Sequence, residues 1–228
     1  MPELPEVETV KRGLCEHALN KCITKVTVRQ ASLRWPVDKD MPQFVENQVI
    51  RAITRRAKYI IIALDRGFLL VHLGMSGAVY FQKSSVELKK HDHIIMQLGD
   101  GVELRYHDPR RFGSWHWIKE DVEKHKLLKD LGPEPLANDF HAQYLWERTR
   151  SRKASIKNII MDQKVVVGVG NIYAAEALFI ARIHPLRAGD KVKKADCERL
   201  VKAIKHCLQA AIELSLIHIS EPTRLSGI

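Results

Sequence analysis

The chain has 228 residues, 45% of them hydrophobic, which suffices for one or two ordinary cores and excludes a disordered polymer. Lys and Arg number 37 against 27 Asp and Glu, a net charge of +10, and a protein this basic suits a polyanionic partner or is simply a basic soluble protein. No apolar run approaches the ~20 residues that cross a bilayer, so a soluble, cytoplasmic protein is expected. Cys15, Cys22, Cys197 and Cys207 fit no zinc-finger spacing and follow no secretory leader, which predicts four reduced thiols.

The chain opens on MPELPEVET. Pro2 stands behind an initiator Met, and removal of Met1 would expose a secondary amine. An α-amino group titrates near ~7.7–8.0 against ~10.4 for lysine, so such an amine is the better nucleophile at neutral pH. Condensation with a sugar aldehyde equivalent would give an iminium ion, the covalent logic of a lysine Schiff base. Glu3 and Glu6 lie beside it in sequence. A carboxylate there can protonate a leaving oxygen or orient the amine. PEVE reads equally as a helix start, with proline in the first turn and acids facing the positive dipole end. The two readings are compatible, because a helix beginning at Pro5 would pin the terminus.

From Pro5 to Leu19 the apolar residues Val7, Val10, Leu14 and Ala18 recur at helical spacing. Eight strands follow: CITKVTVRQ, VIRAITRR, KYIIIAL, FLLVHL, AVYFQ, HIIMQL, VELRYH and FGSWHWI, parted by turns such as Asp65-Arg66-Gly67 and Gly99-Asp100-Gly101. Short strands at this spacing predict an antiparallel sandwich. Around 120–138, Gly132-Pro133-Glu134-Pro135 can continue neither strand nor helix and reads as a linker. Beyond Asp139 the pattern turns helical: DFHAQYLWERTR, ASIKNIIMDQ, NIYAAEALFIARI and KADCERLVKAIKHCLQAAIEL. Asn171 is expected to cap its helix, after Gly168 and Gly170, whose missing side chains let a backbone approach closely. A helix start of this kind either binds phosphate or is a purely structural cap. Arg152, Lys153 and Lys157 read as phosphate contacts or as a solvated face.

Several blocks carry a resemblance in order and spacing: MPELPEVETV, RRAKYI at 55–60, HLGMSG at 72–77, KHDH at 90–93, DPRRFG at 108–113, LGPEPL at 131–136 and VVGVGNIYAAEAL at 166–178. Together they resemble the bacterial formamidopyrimidine-DNA glycosylase family, and the Leu-Pro-Glu-Val opening sets the chain apart from the related endonuclease VIII enzymes. The resemblance implies an α+β fold, with an N-terminal antiparallel β-sandwich flanked by helices over 1–120, a linker over 121–138 and a helix-two-turns-helix domain over 139–214. It implies a base-excision repair glycosylase and abasic-site lyase acting on oxidised purines (8-oxoguanine, formamidopyrimidines) in double-stranded DNA. The chemistry would be a Pro2 Schiff base followed by β,δ-elimination, carried out by a monomer. Glu3 would assist opening of the sugar ring, and Lys58 would contact phosphate and move a proton during elimination.

The same resemblance assigns Met75, Phe112 and an arginine to the gap left by an extruded base, where apolar wedges replace lost stacking. Arg110 is placed in that gap with Arg111 in support, and His91 at a DNA phosphate. From the residues themselves Met75 and Phe112 read as core, Lys58 as a surface lysine, and His91 with His93 as a metal pair or an exposed turn. The resemblance ends near Leu214, and residues 215–228 read as a tail foreign to the family. The family's C-terminal four-cysteine zinc finger finds no Cys-x-x-Cys pair here, so no metal or other cofactor is expected of this chain. A damaged-DNA binding protein without efficient turnover, or a general helix-two-turns-helix module, remains the alternative.

Overall fold

The computed structural model describes residues 2–220, and of the tail expected at 215–228 the stretch 221–228 lies outside them. The chain divides into two compact units. One comprises Pro2 and Val10–Lys129, the other Glu3–Thr9 and the residues from Asp130 onward.

The first unit is built on eight strands: β1 (Cys22–Val28), β2 (Gln48–Arg56), β3 (Tyr59–Leu64), β4 (Phe68–His72), β5 (Ala78–Lys83), β6 (Asp92–Leu98), β7 (Val102–His107) and β8 (Ser114–Ile118). They pair in the order β5-β7-β6-β1-β2-β3-β4-β8, every pairing antiparallel. The β1–β2 seam spans only Cys22↔Val49 and Ile23↔Gln48, whereas β2 and β3 stay paired from Ile50↔Leu64 to Arg56↔Tyr59. The order therefore separates into two four-stranded halves. Tyr106 of β7 meets Trp115 of β8 edge to face at 5.5 Å, although the two strands belong to opposite halves. Face-to-face contact between the halves makes the predicted sandwich. Its core includes Ile23, Ile60, Ile62, Leu70, Ile94 and Trp115, all nearly sealed from solvent. In β6 the run Asp92–Met96 is buried without alternation, as a strand covered on both faces requires.

All eight predicted strands are present, with ends moved by one or two residues. A short helix, α2 (Met41–Val45), escaped prediction because a five-residue turn shows no periodicity; its Pro42 occupies the first turn, where a missing N–H costs nothing.

Helix α1 (Leu4–Ala18) is divided between the units, its residues up to Thr9 counting with the second. The rest of that unit is α3 (Ala142–Thr149), α4 (Ile156–Met161), α5 (Asn171–Ile180) and α6 (Lys194–Ser220). Their apolar faces close on one core that holds Phe140, Leu145, Ile160, Ala174, Leu200 and Leu208, and Leu4 belongs to it. The stretch expected as a linker is tied down at its end: Gly132 N–H donates to Gln163 O at 2.8 Å and Val167 N–H to Pro133 O at 3.1 Å. All four cysteines are thiols, and burial pushes Cys197 up to about 11.

Candidate active site and nucleic-acid interface

In the helical unit the first residues of the chain are fixed by α5. Glu3 is 3% exposed, and its carboxylate accepts three backbone N–H bonds from the start of that helix. Gly170 N donates at 2.8 Å, Ile172 N at 2.9 Å and Tyr173 N at 3.4 Å. A helix leaves its first N–H groups without intrahelical partners, and its amino end carries partial positive charge. Glu3 answers both needs from 167 residues away in sequence.

Asn171 therefore does not cap the helix as its sequence context predicts. It is the first helical residue and exposed, and the capping position belongs to Gly170, which has no side chain to offer. The close approach permitted by the glycines is likewise made by the chain's own beginning. A Cβ on Gly170 would stand 2.4 Å from Glu3 Cδ, and one on Gly168, whose φ is +79°, would stand 2.6 Å from a Leu4 methyl. The sequence showed that something must come close. It could not show that the visitor was the amino terminus.

Glu6 completes this arrangement. Its Oε2 accepts Glu3 N–H at 2.8 Å, the reciprocal bond of a capping box for α1, and its Oε1 accepts the Tyr173 hydroxyl at 3.0 Å. Burial, then the Glu6 carboxylate, pushes the Tyr173 hydroxyl upward, so it remains a donor. Tyr173 was missed by sequence reasoning, since a tyrosine on a helix carries no pattern of its own. Pro2, half-buried, immediately precedes this anchored glutamate.

Near the start of α4, Arg152 is engaged with Asp162 at 3.0 Å, while Lys153 is exposed and Lys157 half-buried. The structure thus gives Arg152 a bracing partner within its own unit.

The strand unit holds a pocket of about 550 Å³, lined among others by Arg34, His72, Met75, Arg110, Arg111 and Phe112. Met75 and Phe112 are each 42% exposed, so neither is a core residue. The Arg110 guanidinium lies over the Phe112 ring, 4.8 Å from its centre. Arg111 takes a left-handed backbone, φ +58°, and closes the turn by donating its N–H to Asp108 O at 3.1 Å. Gly74 is left-handed too, φ +67°, and a Cβ there would strike the Phe112 carbonyl carbon at 2.3 Å. The two loops that carry Met75 and Phe112 are therefore in backbone contact.

Beneath them lies Asp108, fully buried. It accepts from Ser76 Oγ at 2.7 Å, the Tyr106 hydroxyl at 2.9 Å and Gly113 N at 2.9 Å, joining both loops through one carboxylate.

Lys58, in the turn between β2 and β3, is 6% exposed rather than a surface lysine. It stands near enough to the pocket to act on His72, which burial, Arg34 and Lys58 together push down to about 4. His72 is accordingly neutral, and its Nδ1 accepts Gly74 N–H at 3.0 Å. His72 and Arg34 are pocket residues that the sequence did not single out. For His72 the signal was adjacency, since it opens HLGMSG; Arg34 stands in no motif and had none.

His93 is buried and bonded through Nε2 to Asp108 O at 2.8 Å, whereas His91 is half-buried. Among the described residues no group of three or more His, Cys, Asp or Glu could hold a metal ion, and no helix is long and apolar enough to cross a membrane.

Two domain families match: the formamidopyrimidine-DNA glycosylase N-terminal domain over residues 1–115, and the formamidopyrimidine-DNA glycosylase H2TH domain over residues 131–222. The chain is 50% identical over 213 residues to a formamidopyrimidine-DNA glycosylase of Photobacterium profundum, covering 93% of this chain and 78% of that one. The same enzyme of Thioalkalivibrio sulfidiphilus is 50% identical over 212 residues, with the same coverage. In structure the chain is similar to Lactococcus lactis formamidopyrimidine-DNA glycosylase bound non-covalently to DNA containing an abasic site, with a TM-score of 0.88 and 33% identity over 93% of this chain and 82% of that one. A point mutant of the same protein, in complex with DNA containing Fapy-dG, gives a TM-score of 0.89 at 34% identity over 94% and 79%.

Fold and sequence together define a DNA glycosylase of base-excision repair that is also an abasic-site lyase. The chain belongs to the formamidopyrimidine-DNA glycosylase family.

Proposed function

We propose that this chain removes oxidised purines, 8-oxoguanine and formamidopyrimidines, from double-stranded DNA in the bacterial cytoplasm and then cleaves the abasic strand, using Pro2 as its nucleophile. The observation that carries the reading is the fixation of Glu3. A terminus whose second residue is to attack a sugar carbon must be held in place, and the buried carboxylate next to Pro2 is bound by three amides.

With Met1 removed, the Pro2 nitrogen bonds to C1′ as the bond from C1′ to the base breaks, and the base departs with a proton. Ring opening passes the C1′–O4′ electron pair to O4′, which takes up a proton and leaves an iminium. Loss of the C2′ proton then expels the 3′ phosphate, and a second elimination expels the 5′ phosphate. Both oxygens of Glu3 serve as acceptors for amides, so its first contribution is to orient Pro2, with the proton for O4′ passing through the same carboxyl. Lys58, buried at the hairpin turn, contacts phosphate and serves the first elimination. Met75 and Phe112 fill the gap left by the extruded nucleotide, and Arg110, its guanidinium over the Phe112 ring, addresses the orphaned partner base with Arg111 in support. His91, Lys153, Lys157 and Asn171 grip the backbone, and Arg152 does so to the extent that Asp162 releases it.

The test is borohydride trapping on an abasic duplex. The wild-type chain is expected to form a covalent adduct, and Pro2→Gly to lose much of it. An amino-terminally acylated protein should form none, because an amide nitrogen has no usable lone pair. Undiminished trapping by the acylated protein would remove Pro2 from the mechanism. A wild-type chain that binds lesion DNA yet never traps would favour a binding protein without turnover.

A further inference from the structure

Lys90, His91, His107 and Arg111 lie close together: burial, then Lys90, His107, His93 and Arg111, lowers the proton affinity of His91. Of the two half-buried imidazoles in this group, His91 was singled out by sequence. The surroundings of His107 tell a different story. It ends β7, opposite Asp92 of β6 on one side and Ala78 of β5 on the other. Its Nδ1 is 2.9 Å from Asp92 Oδ1, and the ring stands 5.9 Å from that of His91.

Asp92 is completely buried. It accepts the Tyr80 hydroxyl at 2.8 and 2.9 Å and Lys89 N–H at 2.8 Å, and Arg105 Nη1 lies 3.9 Å away. Hydrogen bonds from His107 and Tyr80 hold its carboxyl low against the opposing effect of burial. A carboxylate only accepts, so the His107 nitrogen facing it must carry the proton. That fixes the tautomer. Nε2 is the outer nitrogen, and it has no partner among the described residues; the side chain keeps 26% of its exposure.

A neutral His107 thus presents a lone pair outward, which repels a phosphate oxygen. Protonation turns the same atom into a donor and leaves the charge balanced by Asp92 behind it. Asp92 bonds this ring and His91 stands edge-on to it; Tyr80 on β5, Arg105 on β7 and Lys89 meet Asp92, while Lys90, His93 and Arg111 act on His91. Only Asp92 among them is an anion. His91 has the cationic neighbours without the carboxylate, whereas His107 has the buried carboxylate directly behind it.

We infer that His107, backed by Asp92, is a phosphodiester-binding residue that takes up a proton as DNA binds, adjoining the Arg110–Phe112 loop. The inference rests on the reading that this face meets duplex DNA. It adds a ligand contact and a pH dependence to that reading.

The experiment measures affinity for a lesion duplex by fluorescence anisotropy between pH 6.0 and 8.0 at several salt concentrations. Wild type is expected to bind ~10-fold tighter at pH 6.0, with a log–log salt slope steeper by about 0.9, the increment of one neutralised phosphate. His107→Gln should flatten both dependences, while His91→Gln weakens binding by the same factor at every pH and so leaves the change with pH in place. His107→Arg, permanently charged, should bind as tightly at pH 8.0 as wild type does at pH 6.0. Retention of the full pH dependence by His107→Gln overturns the inference. Should the substitution prevent folding, the His107 ring resonances of the wild-type protein decide the matter: their titration midpoint must rise on DNA addition, and an unmoved midpoint overturns it. A wild-type chain that fails to bind duplex DNA at any pH would instead sink the reading on which the inference rests.

Discussion

Asp108 in the strand unit and Glu3 in the helical unit are carboxylates at 0% and 3% exposure, each accepting three hydrogen bonds, yet they order opposite kinds of site. Asp108 is a knot under two loops whose Met75 and Phe112 side chains stay exposed. Its carboxylate bonds none of the side chains that meet DNA in the proposed mechanism. In the proposed mechanism Glu3 is next to the reacting atom, and what it orders is the amino-terminal segment that begins at Pro2. Burial at Asp108 makes a rigid base for exposed tools. At Glu3 it makes a rigid tether for the residue proposed as the nucleophile.

The comparison breaks most sharply at Asp108. In Asp108→Ala, Ser76 Oγ, the Tyr106 hydroxyl and Gly113 N lose their acceptor together. Orphaned buried donors cost ~1–3 kcal/mol each, so a loss of about 3–5 kcal/mol is expected in chemical denaturation. Trapping on an abasic duplex should fall only as far as folding falls. A fully folded Asp108→Ala that no longer traps would mean that Asp108 also serves the chemistry.

Glu3→Gln makes the converse case. The amide offers one acceptor oxygen, and its NH2 group must face an N–H donor of α5. A destabilisation of about 2–3 kcal/mol is expected, with near-complete loss of trapping even where the protein is folded. Gly170→Ala should act in the same direction, because its Cβ at 2.4 Å from Glu3 Cδ pushes the carboxylate off the helix start. Full trapping by either variant would deny that the tether matters.

Met75→Ala and Phe112→Ala probe the exposed side of the comparison. Each residue keeps 42% of its surface exposed, so the stability lost should be about 1–2 kcal/mol, less than at a sealed core position. Reaction with a paired lesion should slow more than reaction with an abasic site, since unstacking costs a few kcal/mol and least where the base is already absent. Equal losses on both substrates would return these residues to a packing role.

The loops also carry a pH signature. His72 is depressed from an ordinary 6.5 to about 4 by burial, then by Arg34 and Lys58. A depressed base binds fewer protons folded than unfolded, so its contribution is complete above pH ~6.5 and is lost as pH falls toward 4. Denaturation midpoints measured across that window should decline less steeply in His72→Asn, whose side-chain oxygen can still accept from Gly74 N–H. An unchanged slope would mean that His72 does not contribute to the loss of stability in acid.

Much of this was legible in the sequence, and the parts that were not share a cause. The strands could be read because alternation and turn residues are local, as β2 and β3 show around the Ala57-Lys58 turn. Helix α5 was recognised from its apolar spacing, but its cap was assigned to Asn171 because the true capping group lies 167 residues away. Glu3 was suspected for its place beside Pro2, and its three amide partners could not have been. Lys58 looks in sequence like any lysine at a turn, and only the packing of unit and turn makes it buried. The exposure of Met75 and Phe112 was likewise implied by resemblance, while their composition argued for the core.

The smallest effect is expected at Tyr173. Its hydroxyl donates to Glu6 Oε1 at 3.0 Å, while Glu6 Oε2 accepts Glu3 N–H, so the terminus has a second, indirect link to α5. Tyr173→Phe removes that link and keeps the ring and the Tyr173 N–H that reaches Glu3. Glu6 is exposed enough to turn to water, which replaces the lost donor. The cost should therefore stay near ~1 kcal/mol, the net worth of one ordinary hydrogen bond. Trapping yield should fall by a modest factor, far less than in Glu3→Gln, and the double variant should be no worse than Glu3→Gln alone, because both links serve one tether. A Tyr173→Phe protein as inactive as Glu3→Gln would mean that Glu6 and Tyr173 carry the terminus and that Glu3 only caps α5.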